Sequence, residues 1–587
     1  MRLFPFGPCL PYRLRSMGAA LVATTLVGPA LAQVDPGVIN PGVQQRQNLP
    51  GPALPQPQEG TLPPLFEEPA PEQPAPGPEQ RLKIRAVEIE GNTVIPQEDL
   101  DPLVVELTRQ PVSFAEIQAA VERITALYRS RGYLLSQALL PKQTLTDGVL
   151  IIQVLEGFIE AVAVTPEASG FARWLQGYMA PVLGRTPITL ARLERQILLA
   201  QSIGGLELES VLAPGQEPGG AVLTLKTRRR FASGGLSADN WVPYPLGDLR
   251  GTASAALNPY TLGRPWSFGL LGSYTWPYSN GLTNGVFTAA TPLSSNGLQA
   301  SGTFSYTETN SNNLNTSDAP GFLQTQGESW YGSLALSYPW LLSRRSSLFT
   351  TLQADLQNSQ SDLYLDQELV QTNSIDRLRA LRLRFDGAWA GLASATQLGL
   401  QLSQGLPIWG SENGRDIGIE LSNPYGSTSF FSARLTAARQ QRLGTSSPWQ
   451  LNLKAEGQLS ATPLPSSEQI GYGGPSIGRA FHSTYTLGDQ GVMGSVELAY
   501  NLSPKLDFLL QPYVFLDGGY TSLKQAAPGF PLNQSVTGYG LGLRANALAS
   551  NWLSFDLGWG ILATNTVEVS RVGTGESIIY FKANVSF

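Results

Sequence analysis

The sequence predicts a membrane β-barrel of about sixteen antiparallel strands, preceded by two small α+β modules. Three observations predict it. From Phe231 onward helical periodicity disappears and period-two alternation takes over, as in Leu553, Phe555, Leu557, Trp559 and Ile561 against Ser554, Asp556, Gly558 and Gly560. The alternating segments run to about ten residues or more, with Trp and Tyr gathered near their ends, the length and girdle of a tilted transmembrane strand. Only 14% of the residues are charged while 42% are hydrophobic, a balance that suits strands facing lipid on one side and water on the other.

Taken in order, the 587 residues exceed one ordinary domain. Residues 1–32 read as an export signal: Arg13 and Arg15 precede an apolar stretch over 17–27, and Ala30-Leu31-Ala32 is a small-x-small cleavage site. No later window holds about twenty uninterrupted apolar residues, so a membrane-embedded chain must span as a closed barrel. Residues 33–80 are a Pro-rich linker, expected to be an extended spacer, with little to support a docking segment near Gln44 and Gln47. Residues 81–157 give the order β-α-α-β-β. Ile84, Val87 and Ile89 mark a strand, and Phe114, Ile117, Val121, Ile124 and Leu127 form a helical stripe ended at Gly132. Residues 158–229 repeat that order. Such modules leave a sheet edge open, to which an extended polypeptide can add as a further strand. Residues 230–587 form the barrel.

Within the barrel, strand starts are expected near Phe231, Leu249, Trp266, Gly285, Leu298, Trp330, Ser347, Leu378, Thr396, Ser429, Leu451, Val492, Phe508, Gly538, Trp552 and Ile578. Arg382, Arg384, Asp386, Lys454 and Glu456 fall on the lumen side of the alternation and are expected to solvate and rigidify it. Residues 471–481 are too polar and glycine-rich for a strand and read as a long loop whose single charge is Arg479. Phe515, Asp517 and Gly519 place a carboxylate in an otherwise apolar strand. Arg479 and Asp517 are the expected pair: a loop folded back into the barrel and held by a bidentate ion pair. Gly538, Gly540 and Gly542 look like a phosphate loop, but no helix follows, so they read as small lumen-facing strand residues.

The net charge of −6 argues against nucleic acid as a partner. One cysteine, Cys9, and one histidine, His482, leave no raw material for a catalytic triad or a Cys/His metal site. No catalytic residue, metal or cofactor is assigned, and His482 beside Phe481 reads as incidental.

Arg131-Gly132-Tyr133 after the second helix, and Glu156-Gly157 after the last strand, resemble the periplasmic POTRA module. The whole mature chain resembles the TpsB family, the two-partner-secretion transporters of haemolysin-activator (ShlB/FhaC/HecB) type. In that superfamily the sixth extracellular loop carries V-R-G-Y/F. Here Gly478-Arg479-Ala480-Phe481 keeps the arginine and the aromatic. Alanine at the third position tolerates positive φ poorly, which puts the loop-tip backbone in question. The family's F-x-D-x-G strand motif matches Phe515, Asp517 and Gly519. The alternating last strand ends on Phe587, which resembles the signal read by the barrel assembly machinery. The resemblance implies a monomeric, porin-like pore in outer-membrane lipid, with its POTRA domains in the periplasm. It implies secretion of one large exoprotein, recognised through an N-terminal secretion domain, without nucleotide hydrolysis. The alternative is an insertase that folds other barrels. A solute porin would lack POTRA modules, and a barrel lipase would need a Ser-His pair.

Overall fold

The computed structural model describes residues 39–49, 81–145, 147–165, 171–243, 246–276, 281–311, 323–411, 419–444, 446–502, 508–526, 531–547, 552–565 and 577–587. The export signal expected over 1–32 lies outside them. The first element corrects the extended spacer expected over 33–80: Pro41–Asn48 is a helix, α1, with proline in its first turn and the Asn40 side chain capping Gly42 N–H. It has no apolar stripe, Val43 on Leu487 being its one apolar side-chain cluster, yet its first five residues are buried. Its surroundings are the barrel lumen, where Gln45 Nε2 donates to the backbone carbonyls of Ser305 and Ser329 at 3.0 and 2.9 Å.

The first module runs β1 (Ala86–Glu90), α2 (Gln97–Val104), α3 (Phe114–Ser130), β2 (Gln137–Leu139) and β3 (Val149–Leu155). A reciprocal capping box between Ser113 and Glu116 starts α3. Most of the stripe read from the sequence packs inward: Ile117, Val121 and Ile124, with Tyr128, meet Leu100 and Ile152 over a sheet ordered β1-β3-β2, whereas Phe114 stays exposed. The second module repeats the plan with β4 (Phe158–Val164), α4 (Ala172–Met179), α5 (Leu190–Gln201), β5 (Leu206–Pro214) and β6 (Gly220–Arg229), its sheet ordered β4-β6-β5. Its core takes in Leu342 and Phe349 from the barrel. Arg195 donates to Pro339 O at 2.7 Å, and Glu194 accepts from Arg344 N–H at 2.8 Å. The module is thereby docked on one end of the barrel.

The barrel begins with β7 (Ala232–Asp239) and β8 (Leu249–Leu257). A small hairpin follows, β9 (Tyr260–Thr261) and β10 (Arg264–Pro265). Then come β11 (Ser267–Trp276), β12 (Leu282–Pro292), β13 (Gln299–Asn310), β14 (Leu323–Leu342), β15 (Ser346–Leu365), β16 (Glu368–Ala390), β17 (Ser394–Gly405), β18 (Phe431–Arg442) and β19 (Trp449–Ser460). A second small hairpin, β20 (Ile470–Tyr472) and β21 (Thr486–Gly488), precedes β22 (Gln490–Tyr500), β23 (Phe508–Ser522), β24 (Asn533–Ala547), β25 (Leu553–Asn565) and β26 (Ser577–Ser586). Without the two hairpins, sixteen strands close in sequence order, β26 pairing with β7 from Lys582↔Asp239 to Ser586↔Gly235.

The packing is that of a soluble protein turned inside out. Leu334, Leu459 and Ile579 are 74, 70 and 67% exposed on the outer wall, whereas Ser305, Ser329 and Gln357 are buried within. Every expected strand exists. Three begin five or more residues earlier than expected: at Leu323 against Trp330, at Glu368 against Leu378, and at Asn533 against Gly538. At the seam Phe587 exchanges both backbone hydrogen bonds with Gly234. Its own ring would meet any Cβ at Gly234 within 2.6 Å.

Candidate functional site

The loop between β19 and β22 starts at the end of the barrel away from the modules and turns inward. Residues 471 and 472, expected in the loop, belong to its hairpin, so the irregular part is shorter than the sequence suggested. At its tip Arg479, 4% exposed, meets Asp517 on β23, which is fully buried. Nε donates to Oδ2 at 3.1 Å and Nη2 to Oδ1 at 2.9 Å. The backbone N–H groups of Gly478 and Arg479 donate to the same Oδ2 at 3.0 and 2.9 Å. The carboxylate therefore reads the loop's backbone shape as well as its charge.

Gly478 makes that shape available. Its φ is +91°, a left-handed conformation that favours glycine, whereas Ala480 is not among the positive-φ residues. The backbone problem anticipated at Ala480 does not arise. Ala480 instead lies against two wall glycines. A Cβ at Gly560 would sit 2.8 Å from Ala480 Cα, and one at Gly538 would sit 2.7 Å from Ala480 Cβ. The glycine run of β24 is thus part of a smooth berth for the loop tip. Gly519 has the same role for Tyr472, whose ring would lie 2.3 Å from an added Cβ. Phe481 closes the cluster with Tyr472, Val536 and Leu562.

The pair is embedded in a larger network. Arg479 Nη1 also bonds Glu497, and Nη2 donates to Ser495 Oγ at 2.8 Å. Arg544 shares Glu497, through Nη1 to Oε1 at 2.8 Å and Nη2 to Oε2 at 2.7 Å, and reaches Asp556 through Nε at 3.1 Å. The guanidinium of Arg479 lies 3.9 Å from the Phe515 ring centroid, and that of Arg544 lies 4.1 Å from Tyr513. Phe515, matched to a strand motif only by resemblance, is therefore the face on which the arginine rests. Sequence reasoning missed Glu497, Arg544, Asp556 and Tyr513. A signal existed for two of them, because Arg544 and Asp556 are cross-strand partners in the β24–β25 register.

The five other lumen charges do not share one role. Arg384 pairs with Asp386 at 3.2 Å, Glu456 with Arg434 at 3.6 Å, and Lys454 reaches Ser476 in the loop at 3.3 Å. Arg382 is not a solvating charge, which corrects the expectation. It is 3% exposed and joins Asp355 on β15 to Glu468 at the loop's base. Glu468 also meets Arg46 of α1 at 2.6 Å, and Gln47 of α1 accepts from Ser483 at 3.0 Å. Helix and loop occupy the lumen together and touch at both arms of the loop.

Comparison with known proteins agrees with this geometry. Residues 82–157 match the ShlB-type POTRA domain, and residues 221–545, more than half the chain, match the haemolysin secretion/activation protein family ShlB/FhaC/HecB. The outer membrane transporter CdiB of Escherichia coli O6:K15:H31 (strain 536 / UPEC) is 27% identical over 534 residues, 89% of this chain and 84% of the relative. The hemolysin transporter protein HpmB of Proteus mirabilis is 23% identical over 451 residues, 75% of this chain and 76% of its own. Among solved structures, CdiB from Escherichia coli superposes with a TM-score of 0.68 at 19% identity, covering 98% of this chain and all of that one. BamA from Haemophilus ducreyi lacking POTRA domains 1–3 gives 0.50 at 15% identity, covering 86% of this chain and all of that one. The ShlB-type POTRA match lies ahead of a family match that spans more than half the chain, and the chain belongs to the ShlB/FhaC/HecB family of haemolysin secretion/activation proteins.

Proposed function

We propose that the barrel is the outer-membrane pore through which one large partner protein leaves the cell, and that the two modules, both read as POTRA domains in the periplasm, receive that partner unfolded. The observation that carries this reading is the content of the lumen. A wide sixteen-strand cylinder is filled by two segments of its own chain, and neither is covalently held there. Helix α1 lies shortly after the expected export signal and is held mainly by hydrogen bonds and ion pairs, with Val43 on Leu487 as a small apolar contact, so it can be withdrawn into the periplasm. The loop is anchored at its tip by Arg479 and Asp517 and at its base by Arg382 and Glu468, which suits a part that shapes the path and stays.

The modules offer open sheet edges at β1, β2, β4 and β5 for an extended client. The sequence contains no P-loop, and work comes from the client folding outside, where its return is blocked. Phe587, paired at the seam, serves as the insertion signal, and the protein acts as a monomer. The alternative, an insertase for other barrels, rests on fold likeness to BamA alone.

A reversible tether tests the reading. Gln45→Cys with Ser329→Cys joins α1 to the wall where Ser329 Oγ donates to Gln45 Oε1 at 2.6 Å. Oxidation is expected to stop export and reductant to restore it. Undiminished export by the oxidised protein would refute the role given to α1.

A further inference from the structure

Helix α1 carries one charged side chain into the lumen, Arg46, and it enters a prepared cradle. Its Nη2 lies 2.6 Å from Glu468 Oε1 and 3.3 Å from Asp355 Oδ2, and its Nε donates to Gln357 Oε1 at 3.1 Å. The Tyr331 ring centroid lies 5.6 Å from its guanidinium carbon. The carboxylate side chains of Asp355 and Glu468 are 1 and 4% exposed. Arg382, fixed on the wall, bonds the same two carboxylates: Nε to Asp355 at 3.1 Å, Nη1 and Nη2 to Glu468 at 3.0 and 2.7 Å.

Two guanidinium groups thus face two carboxylates, one belonging to the wall and one to a removable segment. When α1 withdraws, Asp355 and Glu468 keep Arg382 as their bonded guanidinium, with Arg434 nearby but paired to Glu456, and the site loses one of its two bonded positive charges. An aromatic face, a side-chain amide acceptor and two carboxylates set apart suit a planar fork of donors. A compact ammonium cannot meet all of them at once.

We infer that this cradle is a guanidinium site, filled by Arg46 in the resting protein and by an arginine of the exported chain during passage. The inference rests on the reading that α1 leaves the lumen. Exchange of one guanidinium for another keeps the buried carboxylates compensated at every stage, so a client segment bearing an arginine displaces the helix without exposing an unpaired charge. The recognition element is accordingly an arginine within an extended segment of the client.

The probe is L-argininamide, with L-lysinamide as the control. By saturation-transfer NMR on the purified full chain, Arg46→Ala is expected to bind argininamide saturably and in preference to lysinamide. Wild type, where argininamide must displace Arg46, is expected to bind more weakly than Arg46→Ala, and Arg46→Ala/Asp355→Asn about tenfold more weakly than Arg46→Ala. Arg46→Gln provides a second vacated cradle should the alanine variant insert poorly. In planar bilayers argininamide is expected to raise the open fraction of the wild-type pore several-fold. Equal binding by all three chains, or no preference over lysinamide, overturns the site. If that happens while Arg46→Ala conducts more than wild type, the pore reading stands without it. Binding to Arg46→Ala with no change in wild-type current overturns the exchange, and the barrier role of α1 with it.

Discussion

Arg479→Ala removes the centre of the loop's attachment. The substitution deletes both side-chain bonds to Asp517, the bond to Glu497 and the contact with the Phe515 face. Glu497 keeps Arg544, but Asp517, wholly buried, keeps only the two backbone N–H groups of the loop. Removing one partner of a buried pair typically costs about 3–5 kcal/mol because the other charge is left uncompensated. That corresponds to roughly a two-hundred- to five-thousand-fold fall in the ratio of docked to undocked loop. The barrel itself is held by sixteen strand pairings that do not involve Arg479. The variant is therefore expected to insert normally, shown by heat-modifiable migration, while its partner protein disappears from the culture medium. Arg479→Lys keeps a charge but cannot reach Asp517, Glu497 and Ser495 together, so it should secrete at an intermediate level. Wild-type secretion by Arg479→Ala would refute the argument, as would loss of the inserted barrel.

Further outcomes follow from the same contacts. Gly538→Ala is expected to undock the loop by crowding Ala480 Cβ and to be largely rescued by Ala480→Gly. Gly560→Ala meets Ala480 Cα instead and should not be rescued, with protease sensitivity of the loop as the readout. In the first module Glu156 accepts from Thr93 N–H at 2.6 Å, Val94 N–H at 3.0 Å and Tyr128 Oη at 2.9 Å, as well as from the Thr93 hydroxyl. Burial pushes its pKa up, but these hydrogen bonds together hold it below the ordinary carboxylate value. Its stabilisation is thus fully present above about pH 4.3 and lost as pH falls through the lower folded value. Glu156→Gln should flatten that acid limb in hydrogen-exchange protection of the module, and an unchanged limb would contradict the assignment. Deleting Phe587 is expected to lower the yield of inserted barrel severalfold, measured in outer-membrane fractions, because it removes two backbone bonds at the closing seam.

The strands were legible because lipid and water impose opposite demands on alternate residues. Where the wall rises past the membrane that contrast fades: the outer positions of β14 become Glu328 and Gln326, and those of β16 become Arg379 and Arg377. Both strands accordingly begin earlier than the alternation indicated. Helix α1 was illegible for a related reason. A helix surrounded by a polar lumen needs no apolar face, so Pro41–Asn48 carries no amphipathic signal and resembles the linker around it. Arg479 and Asp517 could be paired because each is a lone charge in an uncharged setting. Glu497, Arg544 and Arg382 could not, because a lumen-side charge reads alike whether it is solvated or pinned. Only cross-strand register and the return path of the loop separate the two cases.

Export of a partner, and not the building of other barrels, is the role proposed for this barrel. The most direct measurement deletes the chain from its host and compares the culture medium with the outer-membrane protein profile. The account expects one large exoprotein to vanish from the medium while the other barrels stay at wild-type levels. Depletion of those barrels, with secretion intact, would contradict it.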